Sequence, residues 1–201
     1  MLSAAAKFFH HTRTFDPHTT NIFMPMHDLL PLFAPPAGCK IRVMTATRIR
    51  CHINAPRAAV YRALLDPIAV AAWRVPDGMT SQIHTFEARE GGRVRVSLTY
   101  EDPNLAGKTA ARTDTYHGRF IRLVPNEQVV EVDEFETADP ALRGEMTSTI
   151  TLSDSGSGTN VEAIHDGLPA GVAPADNELG WRLALAKLAK LLETGPAPSL
   201  C

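Results

Sequence analysis

The sequence predicts an α+β protein in which one antiparallel sheet of about seven strands packs against a long C-terminal helix. Apolar residues recur at every third or fourth position from Trp181 to Leu192, which indicates one apolar stripe along a helix. The region before this helix consists of alternating apolar and polar segments separated by short turns, a pattern typical of antiparallel strands. A single long amphipathic helix must bury its stripe against the sheet. A helix laid across a curved sheet leaves a space between the two layers, and we expect function to reside there.

The first elements are one strand and two short helices. Residues 48–53 alternate, so that Ile49, Cys51 and Ile53 are predicted to face inward. Pro56 suits the first turn of a short helix. Asp66-Pro67 ends that helix, and the proline can begin a second short helix that runs to Trp73.

Six more strands and the long helix complete the prediction. The strands cover residues 81–89, 94–100, 113–124, 128–136, 146–152 and 160–165, with Gly, Pro, Asn or Ser in the turns between them. Simple alternation in the first of these places His84 and Phe86 on the same, inward face. The long helix is predicted to begin at Ala175 or Asp176.

The length of 201 residues suits one domain. Residues 1–45 are rich in prolines, and we expect a disordered or loosely structured leader, with a transit-type peptide as the alternative. The folded domain is predicted over residues 46–194, and residues 195–201 are expected to form a flexible tail.

Composition excludes several functional classes. A net charge of −2 without basic runs argues against nucleic-acid binding, and no apolar run is long enough for a membrane span. Three cysteines without a CxxC pair indicate neither a disulfide framework nor a zinc site, and they favour a cytoplasmic location. Nucleophile-elbow, P-loop, HExxH and GxGxxG motifs are absent from the sequence, so we assign no cofactor, metal ligand or catalytic residue.

Short motifs in a fixed order resemble a known family. They are Ile53-Asn54-Ala55-Pro56 with Val60-Tyr61-Arg62-Ala63-Leu64, Trp73, Gly118-Arg119-Phe120 with Val124-Pro125, and Gly180-Trp181 with Leu185-Ala186-Lys187-Leu188-Ala189. Their order resembles homologues of the activator of the 90-kDa heat-shock-protein ATPase, within the START-like helix-grip (SRPBCC) superfamily. The resemblance implies a curved antiparallel sheet that grips the C-terminal helix over a hydrophobic cavity. This superfamily includes carriers, receptors, cyclases and co-chaperone domains, so the fold alone does not give the function.

The expected cavity lining combines aromatic, apolar and a few polar side chains. Such a lining suits a flat or greasy small molecule, although core packing is the alternative for each residue. The candidate ligand-binding residues are Trp73, His84, Phe86, Leu98, Tyr100, Tyr116, Phe120, Met146, Asn177, Trp181 and Leu185.

Other polar residues carry weaker expectations. His165 ends the last strand and is expected to face inward, where it could act as a general base or orient a polar group of a ligand, although a hydrogen-bonded position at the rim is the more common outcome. Its neighbour Asp166 faces the opposite side, so the two form a poor catalytic dyad. The acidic run between Glu131 and Asp139 could supply a general acid or a partner-binding surface, but solvated strand edges and a loop are the more common outcome.

Three functions remain open at this point. The first is a carrier or sensor that binds a small hydrophobic or aromatic molecule in the cavity. The second is a cyclase-like or hydratase-like enzyme in which His84 or Tyr100 moves a proton. The third is an interaction module that stimulates a chaperone ATPase, ranked last because residues 1–45 are too short and proline-rich for the extra domain of eukaryotic relatives. The sequence favours binding over catalysis and does not predict the oligomeric state.

Overall fold

The computed structural model describes residues 46–194, so the predicted leader and tail lie outside the described residues. It contains one seven-stranded antiparallel sheet with the strand order β1-β7-β6-β5-β4-β3-β2. The elements are β1 (Thr47–Ile53), α1 (Arg57–Leu65), α2 (Pro67–Trp73), β2 (Met79–Phe86), β3 (Arg93–Tyr100), β4 (Thr113–Val124), β5 (Gln128–Phe135), β6 (Met146–Ser155), β7 (Gly158–Asp166) and α3 (Pro174–Thr194). This architecture confirms the predicted α+β helix-grip layout.

Local chemistry explains the two short helices. Pro56 precedes α1, and Asp66 separates α1 from α2 with an extended backbone. The Asp66 carboxylate accepts a hydrogen bond of 2.9 Å from the backbone N–H of Ile68, which caps α2. Pro67 occupies the first turn of α2, where its missing N–H costs nothing.

Helix α3 lies against β1, α1 and α2. Leu185 and Leu188 are 1% and 0% exposed, so the centre of the predicted apolar stripe is buried as expected, whereas Leu191 of the same stripe is 38% exposed. Trp181 is only half-buried, at the N-terminal half of the helix. On the other side of α3, Leu179 and Leu183 are 44% and 40% exposed.

One row of residues crosses the inner face of the sheet from β4 to β1. The register places Phe120 opposite Glu131, Glu131 opposite Ser148, Ser148 opposite His165, and His165 opposite Thr47. All five are buried. The next inward row is apolar, with Val129, Ile150, Ala163 and Ile49 in register. A polar row therefore runs through a mainly apolar inner face.

A β-bulge in β2 contradicts one prediction. The pairing with β3 shifts between Ile83 and Thr85, so His84 is an extra residue between two paired positions. Its Nε2 lies 2.9 Å from the Oγ of Ser97, and its side chain is exposed. The expected inward orientation of His84 is therefore wrong, because simple alternation does not hold across a bulge. Phe86 lies beyond the bulge and still packs against the core.

Candidate ligand-binding site

The end of α2 places Arg74 under the sheet. The Arg74 backbone N–H donates to the carbonyl of Val70 at 3.0 Å, which closes the last turn. The preceding Trp73 is buried, and its indole N–H donates to the carbonyl of Ala63 at 3.2 Å. With its neighbour anchored on α1, Arg74 extends its guanidinium toward β5.

A charged cluster, defined here as Arg74, Glu131 and Asp133, lies on the inner face of β5. Arg74 Nη1 donates to Glu131 Oε2 at 2.7 Å, and Nη2 donates to Asp133 Oδ2 at 2.9 Å. The side chains of Glu131 and Asp133 are 6% and 5% exposed, whereas that of Arg74 is 18% exposed. The second oxygens, Glu131 Oε1 and Asp133 Oδ1, are buried and receive no hydrogen bond from any described donor. One cation therefore pairs with two acids, and each acid keeps one oxygen atom without a described hydrogen-bond donor.

Burial changes the ionisation of this cluster. It raises the pKa of Asp133 well above its ordinary value, and the nearby charge of Glu131 raises that pKa further. A protonated Asp133 can also donate a hydrogen bond to Glu131, which favours the same form. Burial disfavours the charged form of Arg74, but Glu131 and the other nearby groups outweigh it and hold the Arg74 pKa well above its ordinary value. Burial and the charge of Glu131 therefore favour a proton on Asp133, next to a guanidinium that stays charged.

Gly118 on β4 makes room for Asp133. The two residues face each other in the register of β4 and β5. A Cβ atom at Gly118 would collide with Asp133 Oδ1 and with the backbone carbonyl of Val132. The missing side chain at this position is therefore a requirement of the charged cluster.

Two aromatic rings flank the guanidinium of Arg74. Its central carbon lies 5.5 Å from the centre of the Tyr116 ring and 5.6 Å from that of Trp181. Both distances are within the range of cation–π attraction. Burial also raises the pKa of Tyr116, which keeps its phenol un-ionised.

A hydrogen-bond network joins α3 to the polar row of the sheet. The indole N–H of Trp181 donates to His165 Nδ1 at 3.1 Å, and Asn177 Nδ2 donates to the same atom at 2.9 Å. The Thr47 hydroxyl donates to Asn177 Oδ1 at 2.7 Å. Because Nδ1 of His165 accepts from the indole, the ring carries its proton on Nε2.

Burial also makes His165 a weak base. It lowers the pKa of His165 to about 4, and the charge of Arg74 contributes, while Asn177 Oδ1, which lies 3.2 Å from Nδ1 and can accept from the charged ring, opposes the shift. His165 is thus neutral at physiological pH. Its expected inward orientation is confirmed, and the alternative position at the rim is wrong, because the side chain is buried and bonded to α3.

The structure separates the remaining candidate residues into two groups. Tyr116, Asn177 and Trp181 adjoin the charged cluster or the His165 network. The other aromatic and apolar candidates belong to the core or its margin: Trp73, Phe120, Met146 and Leu185 are buried, and Phe86, Leu98 and Tyr100 are half-buried. Their role in ligand binding stays a prediction.

Sequence reasoning missed the charged cluster. It placed Glu131 and Asp133 on solvated edges, whereas both are buried and face inward with Val129 and Phe135 of the same strand. The period-two spacing of these four residues was the available signal. Valines at positions 130 and 132 concealed it, because they gave the opposite face of β5 the more apolar pattern.

Two further grooves lie on the outer face of the sheet. The first, of about 300 Å³, includes Arg95, Arg119 and Glu134 in its lining, and the second, of about 550 Å³, includes Arg50 and Glu162. Each of these arginines is already paired with a glutamate. The outer grooves therefore offer less unsatisfied chemistry than the inner face.

Residues 46–194 contain neither a candidate metal site nor a membrane-spanning helix. In that range, no group of three or more His, Cys, Asp or Glu side chains is arranged to hold a metal ion. Within the same residues, none of the helices is both long and apolar enough to cross a membrane.

Comparisons with known proteins place this geometry in a family. Residues 54–193 match the family model described as Activator of Hsp90 ATPase homolog 1-like protein. The crystal structure of a protein from Chromobacterium violaceum is 31% identical, with a TM-score of 0.67, over 75% of this chain and 98% of that chain. No curated protein matches the sequence.

More distant structures share the fold. A crystal structure from Rhodobacter sphaeroides is 23% identical, with a TM-score of 0.62, over 76% of this chain and 94% of that chain. A solution structure from Arthrobacter aurescens is 19% identical, with a TM-score of 0.63, over 77% and 89% of the two chains. The family model spans most of the chain, and the Chromobacterium relative agrees over nearly its whole length. The chain therefore belongs to the family of Activator of Hsp90 ATPase homolog 1-like proteins.

Proposed function

We propose that this protein binds a small hydrophobic or aromatic molecule between the inner face of the sheet and α3, as a carrier or sensor. The observation that carries the proposal is the charged cluster, which adjoins the half-buried ring of Trp181. Ligand sites in proteins are mostly apolar with a few convergent polar groups, and this region has that composition.

The energetics of the charged cluster favour a functional role. Burying two acids and an arginine contributes little net stability, and apolar residues of similar size serve a core at least as well. Arg74 also remains partly exposed, so solvent reaches the cluster from one side. A binding site explains both features, because it needs polar groups that are held in place but remain accessible.

The expected affinity is modest. Burial of roughly 300 Å² of ligand apolar surface at about 25 cal/mol per Å² gives on the order of 7 kcal/mol before the entropy costs of association. We therefore expect micromolar binding at best for ligands that make apolar contacts alone.

Fluorescence and thermal shift test the proposal together. The chain has two tryptophans, of which Trp73 is buried and Trp181 is half-buried next to the cluster. A panel of aromatic molecules and lipids should include ligands that raise the melting temperature and change the tryptophan emission. The emission change should disappear in Trp181→Phe and persist in Leu183→Ala, a control on the exposed side of the same helix. Failure of every panel member to shift either signal would contradict the proposed function.

The two other functions have less support. Enzymatic proton transfer by His84 loses its basis, because that side chain is exposed and lies on the outer face with Ser97. The description of the family is the reason to test a chaperone interaction. Stimulation of the chaperone ATPase by the purified chain, unaffected by Trp181→Ala, would favour an interaction module over a ligand carrier.

A further inference from the structure

We propose that the ligand presents a hydrogen-bond donor, a hydroxyl or an N–H group, to Glu131 and Asp133, and that ligands with a carboxylate or phosphate at this end are rejected. This inference rests on the proposed function and specifies the chemistry of the ligand's polar end. It concerns the free oxygens of the charged cluster, not the apolar part of the proposed ligand site between the sheet and α3.

The atoms of the cluster without a hydrogen-bond partner are one oxygen of each acid. Glu131 Oε1 and Asp133 Oδ1 are buried and receive no hydrogen bond from the described residues. The two residues are two positions apart on β5, so their side chains are neighbours on one face. A buried acceptor without a donor is destabilising, and a ligand that supplies the donor removes this cost.

The charges of the cluster also favour a ligand donor over a ligand anion. One guanidinium already donates to both acids, so among the described residues of the cluster no cation is left to pair with a ligand anion. Neither aromatic neighbour changes this balance, since Tyr116 is un-ionised and Trp181 is uncharged. A ligand carboxylate or phosphate would add a further negative charge to a buried site, which is unfavourable.

Asp133 can adapt to the incoming group. Burial and the nearby Glu131 raise the pKa of Asp133, so the free cluster favours a proton on this acid. A ligand hydroxyl or N–H can instead donate to the oxygens that lack a donor. A protonated amine can also replace the charge of the proton, which leaves the total charge of the site unchanged.

The aromatic neighbours define where the rest of the ligand lies. The Trp181 and Tyr116 rings approach the guanidinium within 5.6 Å and 5.5 Å of their centres. An aromatic body beside Trp181 would bring a substituent on its edge close to the acids. This arrangement favours a donor attached directly to a ring or through one carbon.

A matched set of ligands tests the inference on the full chain. Naphthalene, naphthol, naphthylmethylamine and naphthoic acid, substituted at the same ring position, share one apolar body and differ in the polar group. Calorimetric titration at neutral pH should show naphthol and the amine binding at least about tenfold more tightly than naphthalene, since one hydrogen bond to a charged group is worth about that factor. Naphthoic acid should bind more weakly than naphthalene.

Two variants test whether Glu131 is the source of the preference for ligands that carry a donor. Glu131→Gln should reduce the advantage of the amine by about tenfold and leave the affinity for naphthalene unchanged. Glu101→Gln, which alters an exposed glutamate just after β3, should leave all four affinities as in the unmodified chain. Circular dichroism verifies that each variant is folded, and the ligand series on the unmodified chain decides the question if Glu131→Gln does not fold.

The outcomes separate this inference from the proposed function. Naphthoic acid binding as tightly as naphthol, or naphthalene binding without any preference for the donors, would overturn the inference while ligand binding stands. An unchanged preference in folded Glu131→Gln would also overturn it. Binding of none of the four compounds would contradict the proposed function, and the inference would fall with it.

Discussion

Replacement of Arg74 by methionine is the most direct test of the charged cluster. The substitution keeps most of the side-chain volume but removes the only cation that contacts Glu131 and Asp133 within the described residues. Two charge-assisted hydrogen bonds, of 2.7 Å and 2.9 Å, are lost. Each such bond is worth about 1.5–3 kcal/mol, and removal of one partner of a buried ion pair costs about 3–5 kcal/mol. We therefore expect Arg74→Met to lower the free energy of unfolding by about 3–5 kcal/mol at neutral pH.

The pH dependence of this loss adds a second readout. Burial already raises the pKa of Asp133 above that of the unfolded chain, where acids ionise near pH 4, and loss of the guanidinium removes the charge that opposes this shift. A raised carboxyl pKa destabilises the folded state as pH rises above the unfolded value. The difference between Arg74→Met and the unmodified protein should therefore be largest at neutral pH and shrink toward pH 4.

Urea denaturation followed by circular dichroism measures the effect. Arg62→Met on the exposed surface of α1 is a matched control and should change stability by less than about 0.5 kcal/mol. The double variant Arg74→Met with Glu131→Gln should recover part of the loss, because one uncompensated charge is removed with its partner. A loss below about 1 kcal/mol for Arg74→Met, or a loss that grows as pH falls, would refute the view that Arg74 compensates buried acids.

Three other substitutions and one titration follow from the same geometry. Gly118→Ala should destabilise the protein by more than about 2 kcal/mol, because the added Cβ would collide with Asp133 and with backbone atoms. Gly180→Ala, where the added Cβ meets open space, should stabilise α3 by about 0.5–1 kcal/mol. Equal urea midpoints for the two variants would contradict both expectations. Trp181→Phe should cost about 1–2 kcal/mol, since His165 Nδ1 loses the indole donor at 3.1 Å, and an unchanged midpoint would rule this out. NMR titration should give His165 a pKa of about 4 instead of 6.5. Because a lowered histidine pKa means that the unfolded chain binds the proton first, about 3 kcal/mol of stability present above pH 6.5 should be lost as pH falls toward 4.

Much of the fold could be predicted from the sequence. The bounds of β4 agree with the prediction, and both short helices, the antiparallel order and the burial of Leu185 and Leu188 on the stripe of α3 are confirmed. These features depend on residues close together in the chain, through alternation, helical spacing and the placement of prolines. The bulge in β2 was missed because an extra residue in a strand leaves no local mark in the alternation.

The candidate site was less accessible to sequence reasoning. Asn177 and Trp181 were placed toward the sheet because they share the stripe of α3, whereas the acidic pair of β5 was assigned to solvent. An acid in a strand is usually exposed, and its burial is stable only when a counter-ion is buried beside it. The counter-ion comes from α2, far from β5 in the chain, so no local pattern could reveal it.

The sequence by itself determined the type and order of the elements and the family to which the chain belongs, because periodicity and short motifs are local properties. Only the tertiary structure decided which polar residues meet under the sheet. Arg74 contacts acids that are 57 and 59 residues away, and Thr47 contacts Asn177 across 130 residues. Such contacts depend on strand register and on how α2 and α3 pack against the sheet, and a buried charge is stable only where that packing supplies its partner.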